Sequence, residues 1–238
     1  ASEMEKWFDT KGLKCVLLCG GKGTRLLPAS LTKQKGMIEV RNKPIIKHII
    51  DYWSRFTDDF IFVVKYKKED IIEYVRTLPI KAEFVEPDEL KGIADGIYRV
   101  KRLVEDRFIV ILGDCICKGE FSFPAAMEQG VGVWRTKNEE DIKRSYSVLL
   151  DNGLIKQLEE KPKVLPNDLC GMGFYFFDKR VFGYIAKTTP SQLRNEIEIT
   201  DVLQNMLSSG ERFMPVFFNG DYLNVTYTAD LARAEEIL

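Results

Sequence analysis

Residues 16–26 read Val16-Leu17-Leu18-Cys19-Gly20-Gly21-Lys22-Gly23-Thr24-Arg25-Leu26, and the segment runs on through Pro28 to Lys35. The short apolar run predicts a buried strand. It stops at two adjacent glycines, turns through a third, and then presents Thr24, Arg25 and Lys35. Glycine reaches φ > 0 and lets successive backbone N–H groups approach a ligand closely enough to ring an anion. Arg25 adds a planar fork for phosphate oxygens, and Lys35 a mobile point charge. The stretch therefore predicts a polyphosphate-binding loop at the carboxyl end of a first strand.

Two commoner glycine motifs are excluded by spacing. A P-loop needs G-x-x-x-x-G-K-[ST], which does not occur here. The dinucleotide fingerprint needs G-x-G-x-x-G, and Leu26 stands where its third glycine belongs. A plain strand-to-loop turn with solvated basic residues would use the same glycines, so the glycines alone do not decide.

Outward from this loop, strands and helices alternate. Leu13 to Cys19 is the first strand, with Glu5-Trp7-Phe8 as a packing arm before it. A helix begins near Pro44, a residue suited to a first helical position. Ile45, Ile46, Ile49, Ile50, Trp53 and Phe56 make its apolar face, and His48, the only histidine, lies off it. Phe60–Val64, Ala82–Val85 and Phe108–Leu112 read as strands, Glu69–Arg76 and Ile93–Leu103 as helices. This alternation predicts a parallel, doubly wound sheet, with ligands beyond the carboxyl ends of its strands. From Val131 the pattern turns strand-rich: Val131–Arg135, Tyr146–Leu150, Leu154–Glu159 and Gly173–Phe177, with Asp151-Asn152-Gly153 as a hairpin turn. Helices are expected over Glu196–Met206 and Ala229–Leu238.

The length is that of one α/β domain, expected to carry the phosphate loop in a half of about 1–130 and a second substrate in a half of about 131–238. Thirty-five basic against 36 acidic residues leave a net charge of −1, which gives no case for nucleic acid or an anionic membrane surface. No apolar run approaches membrane-spanning length, and no signal-peptide pattern opens the chain. Five cysteines form no C-x-x-C pair and sit mostly in apolar runs, so reduced thiols and a cytoplasmic location are expected. The sequence leaves open whether the chain forms a homo-oligomer.

Gly113-Asp114 ends the most apolar strand. A carboxylate there, facing a phosphate loop, suits Mg²⁺, which takes few protein oxygens and draws its other partners from water and phosphate. An aspartate capping the next turn would read the same way.

The longer string resembles the signature of the sugar-1-phosphate nucleotidyltransferases, G-G-x-G-T-R-L-x-P followed by P-K-x-M-x-x-V-x-x-K-P. It is matched by Gly20 to Pro28 and then by Lys35, Met37, Val40, Lys43 and Pro44, with Gln34 in place of the proline before the lysine. Leu112-Gly113-Asp114 resembles the family's L-G-D motif. Asp151 to Ile155 with Glu159-Glu160-Lys161-Pro162 resembles D-x-x-G-x-I…E-K-P, and Glu196 to Leu203 resembles its E-x-E-[IL]-T-D helix, a packing landmark more than a site. The resemblance spans most of the chain.

The resemblance implies a nucleotide-diphospho-sugar transferase-like fold: Rossmann-like, doubly wound, a mostly parallel mixed sheet with helices on both faces. It implies a Mg²⁺-dependent enzyme that joins a nucleoside triphosphate to a sugar 1-phosphate and releases pyrophosphate. Carried over residue by residue, Arg25, Lys35 and Asp114 would be catalytic. Cys19, Gly20, Gly21, Gly23, Thr24, Glu86 and Gly92 would bind nucleotide. Ser147, Glu160, Lys161 and Gly173 would bind the sugar phosphate, and Asp114 with Asn224 the metal.

Glu86 stands nearest the family's base-reading glutamine. A carboxylate only accepts hydrogen bonds, so there it would suit the amino groups of CTP or GTP and clash with the O4 acceptor of uracil or thymine. Ser147 replaces a glycine that contacts sugar, which makes a polyol phosphate such as inositol 1-phosphate a runner-up acceptor. Gln34, Ile93 and Ser147 together would also suit a catalytically silent, nucleotide-sugar-binding regulator. Arg25, Lys35, Asp114 and Lys161 argue against it. The chain is too short for an appended left-handed β-helix domain, so no acetyltransfer is expected from it.

Overall fold

The structure is a computed structural model that describes Trp7, residues 13–190 and residues 195–238. In chain order the strands are β1 (Lys14–Leu18), β2 (Glu39–Val40), β3 (Lys43–Pro44), β4 (Asp59–Val63), β5 (Lys81–Val85) and β6 (Phe108–Leu112). They continue with β7 (Cys115–Ser122), β8 (Gln129–Arg135), β9 (Tyr146–Asp151), β10 (Leu154–Glu160), β11 (Leu169–Phe177) and β12 (Phe213–Asn224). The helices are α1 (Ala29–Thr32), α2 (Ile45–Trp53), α3 (Lys68–Val75), α4 (Ile93–Tyr98), α5 (Glu139–Lys143), α6 (Arg180–Lys187), α7 (Ile199–Ser208) and α8 (Thr228–Ile237).

Ten strands form one mixed sheet in the order β5-β4-β1-β6-β11-β8-β12-β7, with β9 pairing with β11 and β10 with β9. The first four are parallel, as alternating strands and helices require. Beyond β6 the chain adds mostly antiparallel pairs, so the sheet runs unbroken through both halves.

Side chains alternate across the strands. Cys15 and Leu17 face one core with Ile109, Ile111, Phe174 and Phe176, under α2, α3 and α8. Val16, Val110, Tyr175 and Phe177 face the other, under α4, α6 and α7. The period of two fixes which side chains meet which helix layer. Trp53 anchors the first core, its ring 5.1 Å from that of Phe174.

Several expectations need correction. The helix from Ile93 stops at Tyr98, because beyond it the bonds shorten to three-residue turns such as Leu103 N–H to the Val100 carbonyl. Pro44 stands one residue before α2, in extended conformation as its cap. His48 is half-buried rather than exposed. Its Nε2 lies 2.7 Å from the Val40 carbonyl, tying α2 to the β2–β3 hairpin, and burial lowers its pKa. Of the proposed N-terminal arm, Trp7 is buried edge-on against Phe176, and Glu5 and Phe8 lie outside the described residues.

Two long strands, β7 and β12, escaped the pattern reading because Gly119, Pro215 and Asn219-Gly220-Asp221 interrupt their alternation. β12 pairs parallel with β8 over Phe213–Phe217, then antiparallel with β7 over Phe217–Asn224. Gly119 faces Gly220 so closely that a Cβ on either would stand 2.2 or 2.3 Å from a carbonyl oxygen opposite. This pairing ends with Asn224 opposite Cys115, one residue from Asp114.

Candidate active site

The glycine loop leaves β1 at the edge of a cleft beyond the carboxyl ends of β1 and β6. Gly23 takes φ 64°, the left-handed conformation that glycine adopts without a Cβ penalty. Its carbonyl accepts from Ser30 Oγ at 2.7 Å and from the Leu26 N–H, which closes a tight turn that includes Arg25.

Two adjoining cavities make up the cleft, and both are lined by Lys35, Ile93, Leu112 and Asp114. One, of about 280 Å³, is mostly apolar and takes Cys19, Gly20, Gly21, Gln34, Leu90, Gly92 and Glu196 into its walls. The other, of about 410 Å³, is polar and lined by Gly23, Thr24, Arg25, Arg144, Lys161, Asn224, Thr226 and Tyr227. An apolar slot beside a cationic basin suits a ligand with a flat nucleoside end and a polyanionic end.

Lys35 Nζ donates to Asp114 Oδ2 at 2.9 Å. Asp114 is held from behind by the Val225 N–H, which donates to its carbonyl at 2.7 Å, and this brings Asn224 alongside. Asn224 Oδ1 accepts from Thr226 Oγ1 at 3.0 Å. Among the described residues no three His, Cys, Asp or Glu side chains cluster as a metal site. One carboxylate beside one amide oxygen nevertheless fits Mg²⁺, which ordinarily binds through one or two protein oxygens plus phosphates and water.

Arg25 and Arg144 each place the guanidinium carbon 5.6 Å from the centroid of the Tyr227 ring. Arg144 also donates to the Asn224 carbonyl at 2.7 Å and to the Asp230 carboxylate at 3.0 Å. Burial would raise the Asp230 pKa, but the N–H groups of Tyr227 and Thr226 together with Arg144 leave it lowered.

Arg25, Lys35, Asp114, Lys161, Asn224, Gly23 and Thr24 thus meet in one basin, and Cys19, Gly20, Gly21 and Gly92 in the adjoining slot. Four expected site residues lie elsewhere. Glu86 lines neither cavity: it is exposed and paired with Lys65 and Lys68, because β5 ends at the outer edge of the sheet. Ser147 is buried within β9, opposite Cys170 of β11. Gly173 is a close-packing position where a Cβ would stand 2.6 Å from Cys115 Sγ. Glu160, exposed at the end of β10, is outside both linings, though its charge raises the pKa of Tyr146 and Tyr175 beyond what burial does. The Lys161 N–H donates to the Ser145 carbonyl at 2.7 Å, and φ of 44° turns the chain there.

Arg144, Thr226, Tyr227 and Leu90 were missed. A lone arginine in a short helix turn carries no local signal, whereas Thr226 and Tyr227 directly follow Asn224. Glu196, read as a packing landmark, lines the apolar slot.

Comparison with known proteins shows the family. Residues 14–235 match the family model described as nucleotidyl transferase. The chain is 34% identical over 226 residues to the bifunctional protein GlmU of Methanocaldococcus jannaschii, covering 95% of this chain and 54% of the relative. It therefore spans about half the length of that relative. It is 30% identical over 237 residues to the UTP–glucose-1-phosphate uridylyltransferase AglF of Haloferax volcanii, covering 95% and 96% of the two chains. The inositol-1-phosphate CTP transferase of T. maritima shares the fold, with a TM-score of 0.81 at 20% identity over 95% of each chain. A family match over nearly the whole described chain, with the glycine loop, Lys35, Asp114 and Asn224 inside it, makes the protein a member of the nucleotidyl transferase family, akin to the sugar-1-phosphate nucleotidyltransferases.

Proposed function

We propose that this chain joins a nucleoside triphosphate to a sugar 1-phosphate, releasing pyrophosphate and forming a nucleoside-diphosphate sugar. The observation that carries the proposal is the meeting of Arg25, Lys35, Lys161 and Asp114 in one basin beside the glycine-lined slot. The slot takes the nucleoside, and the triphosphate lies over Gly20 to Gly23.

An oxygen of the sugar phosphate attacks the α-phosphorus in line, and the bond from that phosphorus to the bridging oxygen of the β-phosphate breaks. The nucleophile is already an anion, so no general base is needed and catalysis is positioning with charge stabilisation. Lys161 holds the incoming phosphate, Arg25 neutralises the departing pyrophosphate, and Lys35 meets the charge that builds at the α-phosphate. Asp114 and Asn224 would hold Mg²⁺, which supplies charge neutralisation of the triphosphate when bound.

Glu86 stands outside the lining of the slot, which weakens its support for CTP or GTP. The likeness to a uridylyltransferase over nearly full length supports UTP as the nucleotide. Ser147 is likewise buried away from the basin, so a sugar phosphate is preferred to a polyol phosphate. Five buried free cysteines suit a reducing compartment such as the cytoplasm.

The test is pyrophosphate release over the four common NTPs, each with a panel of hexose and polyol phosphates and Mg²⁺. Turnover with UTP and a hexose 1-phosphate is expected. Nucleotide binding with no turnover on any pair would favour a regulatory role and overturn the proposal.

A further inference from the structure

Gln34 departs from the proline of the resembling family, yet it is built into the site. Its side chain is buried, with 2% of the residue exposed. Nε2 donates to the Cys19 carbonyl at 2.7 Å, and Oε1 accepts the Gly36 N–H. Its own backbone N–H donates to Asp70 Oδ2 at 3.1 Å. With φ −61° and ψ 142° the backbone would accept proline, but proline could make none of these bonds.

The Cys19 carbonyl and the Gly20 N–H belong to one planar peptide unit, so a bond that fixes the first sets the direction of the second. The Gly36 N–H shares its peptide plane with the Lys35 carbonyl. Lys35 is therefore clamped on both flanks, by Asp70 before it and by the Gln34 amide after it. A carboxamide donates to Cys19 and accepts from Gly36 at once, which an apolar side chain or an ionised carboxylate cannot do.

We infer that Gln34 is a positioning residue that aligns the first anion-binding peptide of the glycine loop with Lys35. This rests on the nucleotidyl-transfer reading for its kinetic consequence, though not for its structural one. Gln34 ties the loop of β1 to the lysine segment, so the two groups that meet the triphosphate move as one piece. Because Gln34 lines the apolar slot and not the polar basin, its effect is expected chiefly on the nucleotide.

The full chain and its Gln34→Met and Gln34→Glu variants test this in steady-state kinetics, thermal unfolding and amide hydrogen exchange. Gln34→Met is expected to raise KM for the NTP by about tenfold while KM for the sugar phosphate stays within about twofold. Gln34→Glu keeps the acceptor but faces the Cys19 carbonyl with a carboxylate, whose pKa burial raises. Its activity relative to the parent is expected to climb as pH falls from about 8 to about 6, as protonation restores a donor. Both variants should speed exchange across residues 19–23 in the ligand-free protein. Equal loss in both KM values that tracks thermal destabilisation, a flat pH ratio for Gln34→Glu, or unchanged exchange in the loop would each overturn the inference. A parent protein with no turnover on any substrate pair would sink the transferase reading alone, and loop exchange would still decide the role of Gln34.

Discussion

Lys35 and Asp114 hold each other at 2.9 Å across the mouth of the cleft, a lysine from the loop after β1 and an aspartate from the end of β6. Both side chains are about one-fifth exposed, at 18% and 22%, so each remains open to a ligand. The pairing keeps two opposite charges oriented where a triphosphate would lie.

Replacing Lys35 with Met, or Arg25 with Ala, is expected to lower kcat by about 10²–10³-fold, the usual cost of removing one preorganised charge-stabilising group. Asp114→Ala should abolish turnover. Pyrophosphate release measures all three, and thermal melts should show the variants folded. Near-normal kcat in any of them would remove that residue from the mechanism.

Tyr227 offers its ring to both Arg25 and Arg144, and each cation–π contact at a partly open site is worth roughly 0.5–1 kcal/mol. Tyr227→Ala should therefore lower kcat/KM about two- to fivefold by releasing Arg25, with Tyr227→Phe close to the parent. Equal losses in the two variants would show that the hydroxyl matters rather than the ring.

Asp230 carries the pH dependence of this region. Its lowered pKa in the folded protein means the unfolded chain binds the proton more readily. The stability it contributes is fully present above the unfolded value of about 3.9 and is lost as pH falls through the folded value. Asp230→Asn should reduce neutral-pH stability and flatten the fall in Tm below about pH 4. A melt series from neutral to acid pH checks the sign.

Gly220 sits at the tightest approach of β12 to β7, at φ 147°. Gly220→Ala should cost roughly 2–3 kcal/mol in urea unfolding, combining backbone strain with overpacking. It should also depress activity, because the same strand pairing carries Asn224 to Asp114. A variant with parental stability would show that the two strands can separate without cost.

The local features were legible before any coordinates. The glycine loop, the apolar stripe of Ile45 to Trp53 and the continuous run Phe108–Leu112 each depend on residues a few positions apart, where side-chain period and backbone freedom act directly. Strand β12 was not, because Pro215 and Gly220 break its alternation while its partners β7 and β8 supply the missing order. The place of Glu86 outside the slot was not legible, because a position in a motif says nothing of which edge of the sheet it will occupy.

By itself, the order of residues determined that a phosphate-seeking loop follows a buried strand and that a lone aspartate ends another. Only the tertiary structure decided that Arg144 joins them, that Ser147, Glu160, Gly173 and Glu86 stand outside the two cavities, and that Gln34 locks the loop to Lys35. The physical reason is range. Spacing along the chain dictates local conformation, whereas the meeting of distant side chains is settled by strand register and by where the buried hydrogen bonds can be satisfied.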